Sequence, residues 1–213
     1  MQRDIRDLAN IEGLTTLPNL LSLLAARSGS LLNFAELSNS NNTPQTTLKR
    51  YLVLLETAFL VQRIQPWSGN LGKQLIKTPK VYLTDTGLMA YLLGADDDRL
   101  KADGVLYGRL LETFVLNELV RLKSWSRSRI HAYHYRTHQG SEIDFLLERG
   151  DGNVVAIEVK SSSTVDSSSF AAIITLAQEL KKKFVRGIVL YNGKEVIPFG
   201  KNLFALPIQT LWT

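Results

Sequence analysis

The sequence predicts an α/β fold, α+β overall, in which a small helical part precedes a mixed sheet flanked by helices. The segment Glu142–Glu148 alternates apolar and polar residues as half-buried strands do, and Val154–Lys160 is a second strand with Glu158 and Lys160 on one face. The turn-forming residues 150–153 lie between them, so the two strands are expected to form a hairpin. A helical segment from Ser167 then leads to the apolar run 185–191, which is typical of a crossover to an interior strand.

The N-terminal part predicts three helices followed by two strands. Apolar spacing indicates a first helix over 17–26 and a second over 34–37, and Pro44 begins the third helix with Thr43 as its cap. Strands are expected at 60–64 and 80–83, with a loop between them. This order is that of a winged helix-turn-helix, and the sequence divides into residues 1–84 for this domain and 85–213 for the sheet domain.

The third helix is expected to present a polar face. Its inward positions are apolar or aromatic: Leu48, Tyr51, Leu52 and Leu55. The opposite face suits contact with a nucleic-acid groove or its phosphates and consists of Gln45, Thr46, Lys49 and Arg50. Winged helices also pack against partner domains, so DNA contact and protein contact both remain open.

Two carboxylates and a lysine are expected to meet on the hairpin. Alternation places Asp144 on one face with Glu142, away from Ile143 and Phe145, and places Glu158 beside Lys160 on the next strand. Carboxylate oxygens are ligands that Mg²⁺ or Mn²⁺ prefers, and waters and a substrate phosphate can complete the coordination. Lys160 would orient the attacking water or stabilise developing negative charge, so the pattern predicts a phosphodiesterase site.

Other titratable residues receive different interpretations. Glu112 lies on the apolar flank of a helix over 107–122, where a carboxylate needs a partner or a metal. Glu118 on the same helix is expected at its surface. The spacing of His131, His134 and His138 would suit a zinc site on a helix, but the local pattern is a strand followed by a loop.

The order of Glu112, Asp144 and Glu158-Val159-Lys160 resembles the core of the PD-(D/E)XK nuclease superfamily. The resemblance implies a restriction-endonuclease-like mixed sheet. It also implies that Asp144 and Glu158 bind the metal, that Lys160 is the catalytic lysine and that Glu112 is a further acid of the site.

Most of the chain is also similar to the C-terminal region of a large family of prokaryotic AAA-type ATPases. The likeness rests on segments that include Arg3–Leu8, Thr47–Leu52, Val81–Gly87, Gly140–Asp144 and Val185–Tyr191. It implies an ATPase domain as partner, in cis or in trans, because no G-x-x-x-x-G-K-[ST] phosphate loop occurs in this sequence. Apolar surface left by a missing ATPase domain could also drive assembly into a homo-oligomer.

Composition limits the alternatives. The 213 residues are 45% hydrophobic, carry a formal charge of +5 and contain no cysteine, so disulfides and thiolate metal sites are excluded. No apolar run reaches the roughly 18 residues that span a bilayer, so the protein is expected to be cytoplasmic and not to enter a membrane.

Two functions follow from the sequence. The first is a Mg²⁺- or Mn²⁺-dependent DNA phosphodiesterase module of an AAA-type ATPase family protein, without the ATPase domain. The alternative is a non-catalytic regulatory module that binds DNA or protein and uses the nuclease-like domain as a scaffold.

Overall fold

The computed structural model describes residues 16–69 and 75–212, and within them the chain is a mixed α/β structure. Nine strands form a sheet in the order β1-β3-β2-β4-β5-β6-β7-β9-β8. The pairs β2–β4, β6–β7 and β7–β9 are parallel, and the other neighbours are antiparallel. The strands are β1 (Ser30–Leu31), β2 (Val61–Pro66), β3 (Lys80–Leu83), β4 (Ile130–Arg136), β5 (Glu142–Arg149), β6 (Val154–Lys160), β7 (Phe184–Tyr191), β8 (Ile197–Gly200) and β9 (Leu203–Pro207).

Seven α-helices accompany the sheet in the described residues. No helix there is long and apolar enough to cross a membrane. The helices are α1 (Thr16–Ala26), α2 (Phe34–Asn41), α3 (Gln45–Thr57), α4 (Thr86–Leu93), α5 (Asp97–Ala102), α6 (Gly104–Trp125) and α7 (Ala171–Leu180), with 3₁₀ turns at Ser167–Phe170, Lys181–Lys183 and Ile208–Trp212.

The third helix is positioned by the apolar side chains that the sequence indicates. Leu48, Tyr51, Leu52 and Leu55 are buried in a core that they share with α1 and α2. The predicted cap at Thr43 is wrong, because the Thr43 hydroxyl donates to the Asn41 carbonyl and Pro44 precedes the helix without a side-chain cap. Proline can begin the helix uncapped because its ring already fixes a helical φ.

Helix α6 connects the two parts of the chain. Leu106 and Leu110 in its first turns pack into the core of α1 to α4, whereas Val115 and Leu116 pack against β5 and β6. The sheet also continues across the predicted boundary at residues 84 and 85, because Gln65 of β2 pairs with Tyr133 of β4.

The predicted hairpin is confirmed by the antiparallel pairing of β5 with β6, which runs from Glu148–Val154 to Phe145–Ile157. The pairing of β5 with β4 contains a bulge, because two steps along β4, from Tyr133 to Tyr135, correspond to three steps along β5, from Leu146 to Ile143. As a result Ile143 and Leu146 lie in one hydrophobic core, whereas Phe145 lies in another. The prediction that Ile143 and Phe145 share a face is therefore wrong.

A glycine fixes the packing of α7 on the sheet. A Cβ atom at Gly187 of β7 would lie 2.4 Å from Ile173 Cγ2 of α7. The absence of a side chain at this position lets helix and strand approach closely, and β7 occupies the interior of the sheet as the sequence predicts.

Candidate functional site

The hairpin brings Asp144 and Glu158 together where its ladder ends. After the Phe145–Ile157 pair, carboxylate oxygens accept the backbone hydrogen bonds: Asp144 N donates to Glu158 Oε2 at 3.4 Å, and Val159 N donates to Asp144 Oδ2 at 2.9 Å. Each strand therefore holds the acid of the other, and both carboxylates are oriented before any ligand arrives.

Lys160 completes this side of the site. Its Nζ donates to Glu158 Oε1 at 2.9 Å, and 39% of the Lys160 side chain is exposed. Burial lowers the pKa of Lys160, but the charge and hydrogen bond of Glu158, together with the charges of Asp144 and Glu112, outweigh burial and raise that pKa. Burial raises the pKa of Glu158, and Lys160 opposes that shift. The lysine therefore stays charged and faces solvent that a phosphate could reach.

Asp144 lies in an environment that disfavours its charge. Burial, followed by the negative charges of Glu112 and Glu158, raises the pKa of Asp144 well above its ordinary value, although Lys80 acts against this. A carboxylate in such a position ionises more readily when a cation binds beside it.

Lys80 of β3 is the unexpected member of the site. Only 3% of its side chain is exposed, and its Nζ lies 2.8 Å from Glu142 Oε1, 3.2 Å from Glu112 Oε1 and 3.9 Å from Asp144 Oδ1. Burial lowers the pKa of Lys80, but the three carboxylates, with Glu112 the strongest, outweigh burial and raise it above the ordinary value. The ammonium is therefore a permanent charge inside the carboxylate cluster.

Glu112 of α6 is held by β3. Its Oε1 accepts a hydrogen bond from Tyr82 OH at 2.6 Å and another from Lys80. Burial and then Glu112 raise the pKa of Tyr82, so the phenol remains a donor. The backbone of Gly29 also lies close to the Glu112 carboxylate. Its φ is +82°, and a Cβ atom at this position would lie 3.2 Å from Glu112 Oε2.

Glu142 links the cluster to the surface. Its second oxygen lies 3.3 Å from Arg136 Nη1, while Lys80 holds the first. Burial raises the pKa of Glu142, but the charge and hydrogen bond of Lys80, together with its other charged neighbours, outweigh burial, so the net pKa is lowered. Glu142 is therefore an ionised bridge between a buried and a half-exposed cation.

The structure thus brings all four predicted residues into one cluster. Glu158 contacts both Asp144 and Lys160, and Glu112 joins through Lys80. Within residues 16–69 and 75–212, no three His, Asp or Glu side chains form a ready metal-ligand group. The donor set does fit a metal held by two carboxylates, Asp144 and Glu158, with waters and a phosphate oxygen. The assignment of Glu112 as a third ligand stays a prediction.

Sequence reasoning missed Lys80 and Tyr82, and it misjudged Glu118. The signal for Lys80 and Tyr82 was a lysine at the start of a fully buried strand. Tyr82 follows two positions later and therefore lies on the same face. Glu118 was expected at the helix surface, but it is buried, accepts from Trp212 Nε1 at 3.0 Å and pairs with Arg121. The indole that covers Glu118 comes from 94 residues further along the chain, which helical periodicity cannot reveal.

The exposed face of α3 lies where the sequence places it. Gln45, Thr46, Lys49 and Arg50 are all exposed. The Lys49 ammonium lies 5.5 Å from the centre of the Phe34 ring of α2, a cation–π distance. The face is therefore open to solvent and carries two positive charges.

The three histidines do not converge on one point. His134 is buried on β4 and its Nε2 lies 3.0 Å from the Thr78 carbonyl, while His131 and His138 are exposed.

Both parts of the chain match protein families. Residues 1–99 match a domain of unknown function (DUF8612), and residues 107–211 match another (DUF4143). Domains of the second kind are typically found in AAA-ATPase-associated proteins.

Three curated relatives resemble the chain. It is 31% identical over 215 residues to uncharacterised proteins of Mycobacterium bovis and Mycobacterium tuberculosis, covering 100% of this chain and 46% of each relative. It is 26% identical over 190 residues to an uncharacterised protein of Haemophilus influenzae, covering 86% of this chain and 44% of that protein. The chain therefore spans slightly less than half the length of these relatives.

Two solved structures are distantly similar. An assembly of McrB AAA+ hexamers with bound McrC from Thermococcus gammatolerans matches at a TM-score of 0.35 and 12% identity, covering 90% of this chain and 70% of that chain. NadR in complex with 4-hydroxyphenylacetate matches at a TM-score of 0.28 and 24% identity, covering 59% of this chain and 83% of that chain. At these TM-scores neither likeness indicates a shared function.

Proposed function

We propose that this chain carries a divalent-metal-dependent phosphodiesterase site that cleaves DNA, as a module of an AAA-type ATPase family protein. The observation that carries the proposal is the crossed hydrogen bonding of Asp144 and Glu158 at the end of the β5–β6 ladder, with Lys160 donating to Glu158. Two fixed carboxylates beside a half-exposed ammonium form the minimal set for phosphate hydrolysis with a bound metal.

In this proposal Asp144 and Glu158 hold the Mg²⁺ or Mn²⁺ ion. When bound, the ion acidifies a water molecule and neutralises charge on the phosphate. Val159 N–H and Asp144 N–H keep the two carboxylates in place through the bonds described above. Lys160 places an ammonium beside Glu158, where it can contact a phosphate oxygen or orient a water molecule.

The N-terminal part would bring nucleic acid or a protein partner to this site. We propose that α1 to α3 with β2 and β3 form a winged helix-turn-helix, because the buried and exposed faces of α3 separate cleanly. Lys49 and Arg50 could then follow a phosphate backbone. DNA contact should weaken as salt rises, whereas contact with an ATPase domain through apolar surface should not.

A second function, a non-catalytic module with a nuclease-like scaffold, is supported by one observation. The carboxylates of the cluster already lie beside protein cations: Glu158 beside Lys160, and Glu112, Glu142 and Asp144 beside Lys80. Buried acids satisfied by ion pairs can serve structure alone.

Metal binding and DNA cleavage, measured on matched variants, test the proposal. We expect calorimetry to show Mn²⁺ binding that Asp144→Asn removes and Lys160→Met preserves. DNA cleavage should fall in both variants by at least about 10²-fold. Asp151→Asn is the control, because Asp151 is an exposed acid at the turn of the same hairpin. A folded wild type that neither binds Mn²⁺ nor cleaves DNA would favour the scaffold function.

A further inference from the structure

Lys80 reaches the carboxylate cluster from the N-terminal part of the chain and is held there by the sheet. Its strand lies between two others, so that Lys80 pairs with Leu31 of β1 and with Ile64 of β2. The backbone cannot move away without breaking both ladders, and the side chain is almost fully covered. The ammonium is therefore a built part of the site.

The contacts of Lys80 are unequal, and the difference matters for metal binding. Glu142 Oε1 at 2.8 Å and Glu112 Oε1 at 3.2 Å are within hydrogen-bonding distance, whereas Asp144 Oδ1 at 3.9 Å is not. Asp144 Oδ1 thus feels the positive charge but keeps its lone pairs available.

We propose that the Lys80 ammonium is a fixed cation that competes with the divalent ion of this site, so that the N-terminal part limits how tightly the metal binds. The inference rests on the proposed metal site at Asp144 and Glu158. Because metal–oxygen distances are about 2.1 Å for Mg²⁺, an ion on Asp144 Oδ1 would lie within about 6 Å of the ammonium. At that separation, in a partly buried site, like charges repel strongly and salt screens them poorly.

Neutralising Lys80 gives the test. In Lys80→Gln the side chain keeps an amide donor for Glu142 and Glu112 but loses its charge. We expect Mn²⁺ to bind Lys80→Gln at least tenfold more tightly than wild type in calorimetry. We also expect Mn²⁺ to raise its thermal midpoint more than that of wild type, because the ion supplies the missing positive charge.

Three further variants make the result specific. Arg136→Gln is the matched control, because it removes one positive charge that also pairs with Glu142 but does not come from β3. Lys80→Arg keeps the positive charge at the site. Arg136→Gln and Lys80→Arg should therefore each bind Mn²⁺ within about threefold of wild type, well short of the tenfold gain expected of Lys80→Gln. In Lys80→Gln/Asp144→Asn the gain in affinity should disappear, which would locate the ion at Asp144.

The thermal midpoint is informative even if Lys80→Gln is poorly folded, because rescue by Mn²⁺ is then itself the expected result. An equal or smaller effect of Mn²⁺ on Lys80→Gln than on wild type would overturn the competition. If wild type binds Mn²⁺ and Lys80→Gln binds no more tightly, the competition is refuted and the metal site stands. If only Lys80→Gln binds Mn²⁺, the proposed competition is supported and the proposed metal-dependent activity of the wild type is refuted. If neither binds, both proposals fail.

Discussion

The β5–β6 hairpin carries an acid and a base at each end, and the two ends behave in opposite ways. At the turn Arg149 pairs with Asp151 in solvent, and the hydrogen bond from Arg149 lowers the pKa of Asp151 to about 2. At the open end burial and neighbouring acids raise the pKa of Asp144. The same hairpin thus satisfies one carboxylate and destabilises the charge of another, and acids whose charge is disfavoured cluster at functional sites.

The largest effect is expected from removing the buried cation. Lys80→Gln should lower the metal-free free energy of unfolding by about 3 kcal/mol, because it leaves buried carboxylates uncompensated. Arg149→Gln removes the exposed cation of the turn and should leave stability unchanged within error. Urea titrations of both variants measure the difference, and equal stabilities would show that burial does not distinguish the two ends.

Acid should lower the stability of the protein through His134 of β4, the strand that pairs with β5. Burial lowers the pKa of His134 to about 4, although its bond to the Thr78 carbonyl acts against this. Between pH 6.5 and 4 the unfolded chain therefore binds a proton that the native chain does not. Stability should fall as the pH drops through this window, by up to about 3 kcal/mol.

The control for this acid effect lies on the same strand. His134→Gln should flatten the pH dependence of the unfolding midpoint between pH 6.5 and 4, whereas His131→Gln should leave it as in wild type, since His131 is exposed. The same slope in all three proteins would mean that other groups govern acid unfolding.

Tyr82→Phe should have a somewhat smaller effect. The phenol donates to the Glu112 carboxylate at 2.6 Å in a buried setting, and bonds to charged groups contribute about 1.5–3 kcal/mol. Thermal or urea unfolding would measure this loss. Tyr91→Phe provides the control, because Tyr91 is 83% exposed and should tolerate the change.

The sequence could predict the open end of the hairpin because its determinants are local. Alternation and the turn at 150–153 set which strands pair, and that pairing brings Asp144 to Glu158. Lys80 and Tyr82 were not predictable in this way, because they belong to a strand more than 60 residues before Asp144.

Two local details also escaped the patterns. The bulge in β5 breaks the alternation on which the assignment of Ile143 relied, and only the register against β4 reveals it. Nothing in the periodicity of α6 indicates that Trp212 covers Glu118. The predictions failed where segments distant in sequence meet.

The smallest effect on stability is expected from replacing Asp144, and it compares the carboxylates of Asp144 and Asp151 directly. Because burial and the charges of Glu112 and Glu158 raise the pKa of Asp144, the wild type loses stability as the pH rises through the native pKa. Full stability is present only below the unfolded value of about 3.9. Asp144→Asn should therefore raise the metal-free free energy of unfolding at neutral pH by about 1 kcal/mol. The gain should vanish in acid, where the wild-type carboxyl is protonated. Asp151→Asn should give no such gain, because the pKa of Asp151 is lowered. Unfolding measured at pH 4 and pH 7.5 decides the matter, and a neutral-pH loss in Asp144→Asn would mean that the Val159 N–H bond outweighs the repulsion from Glu112 and Glu158.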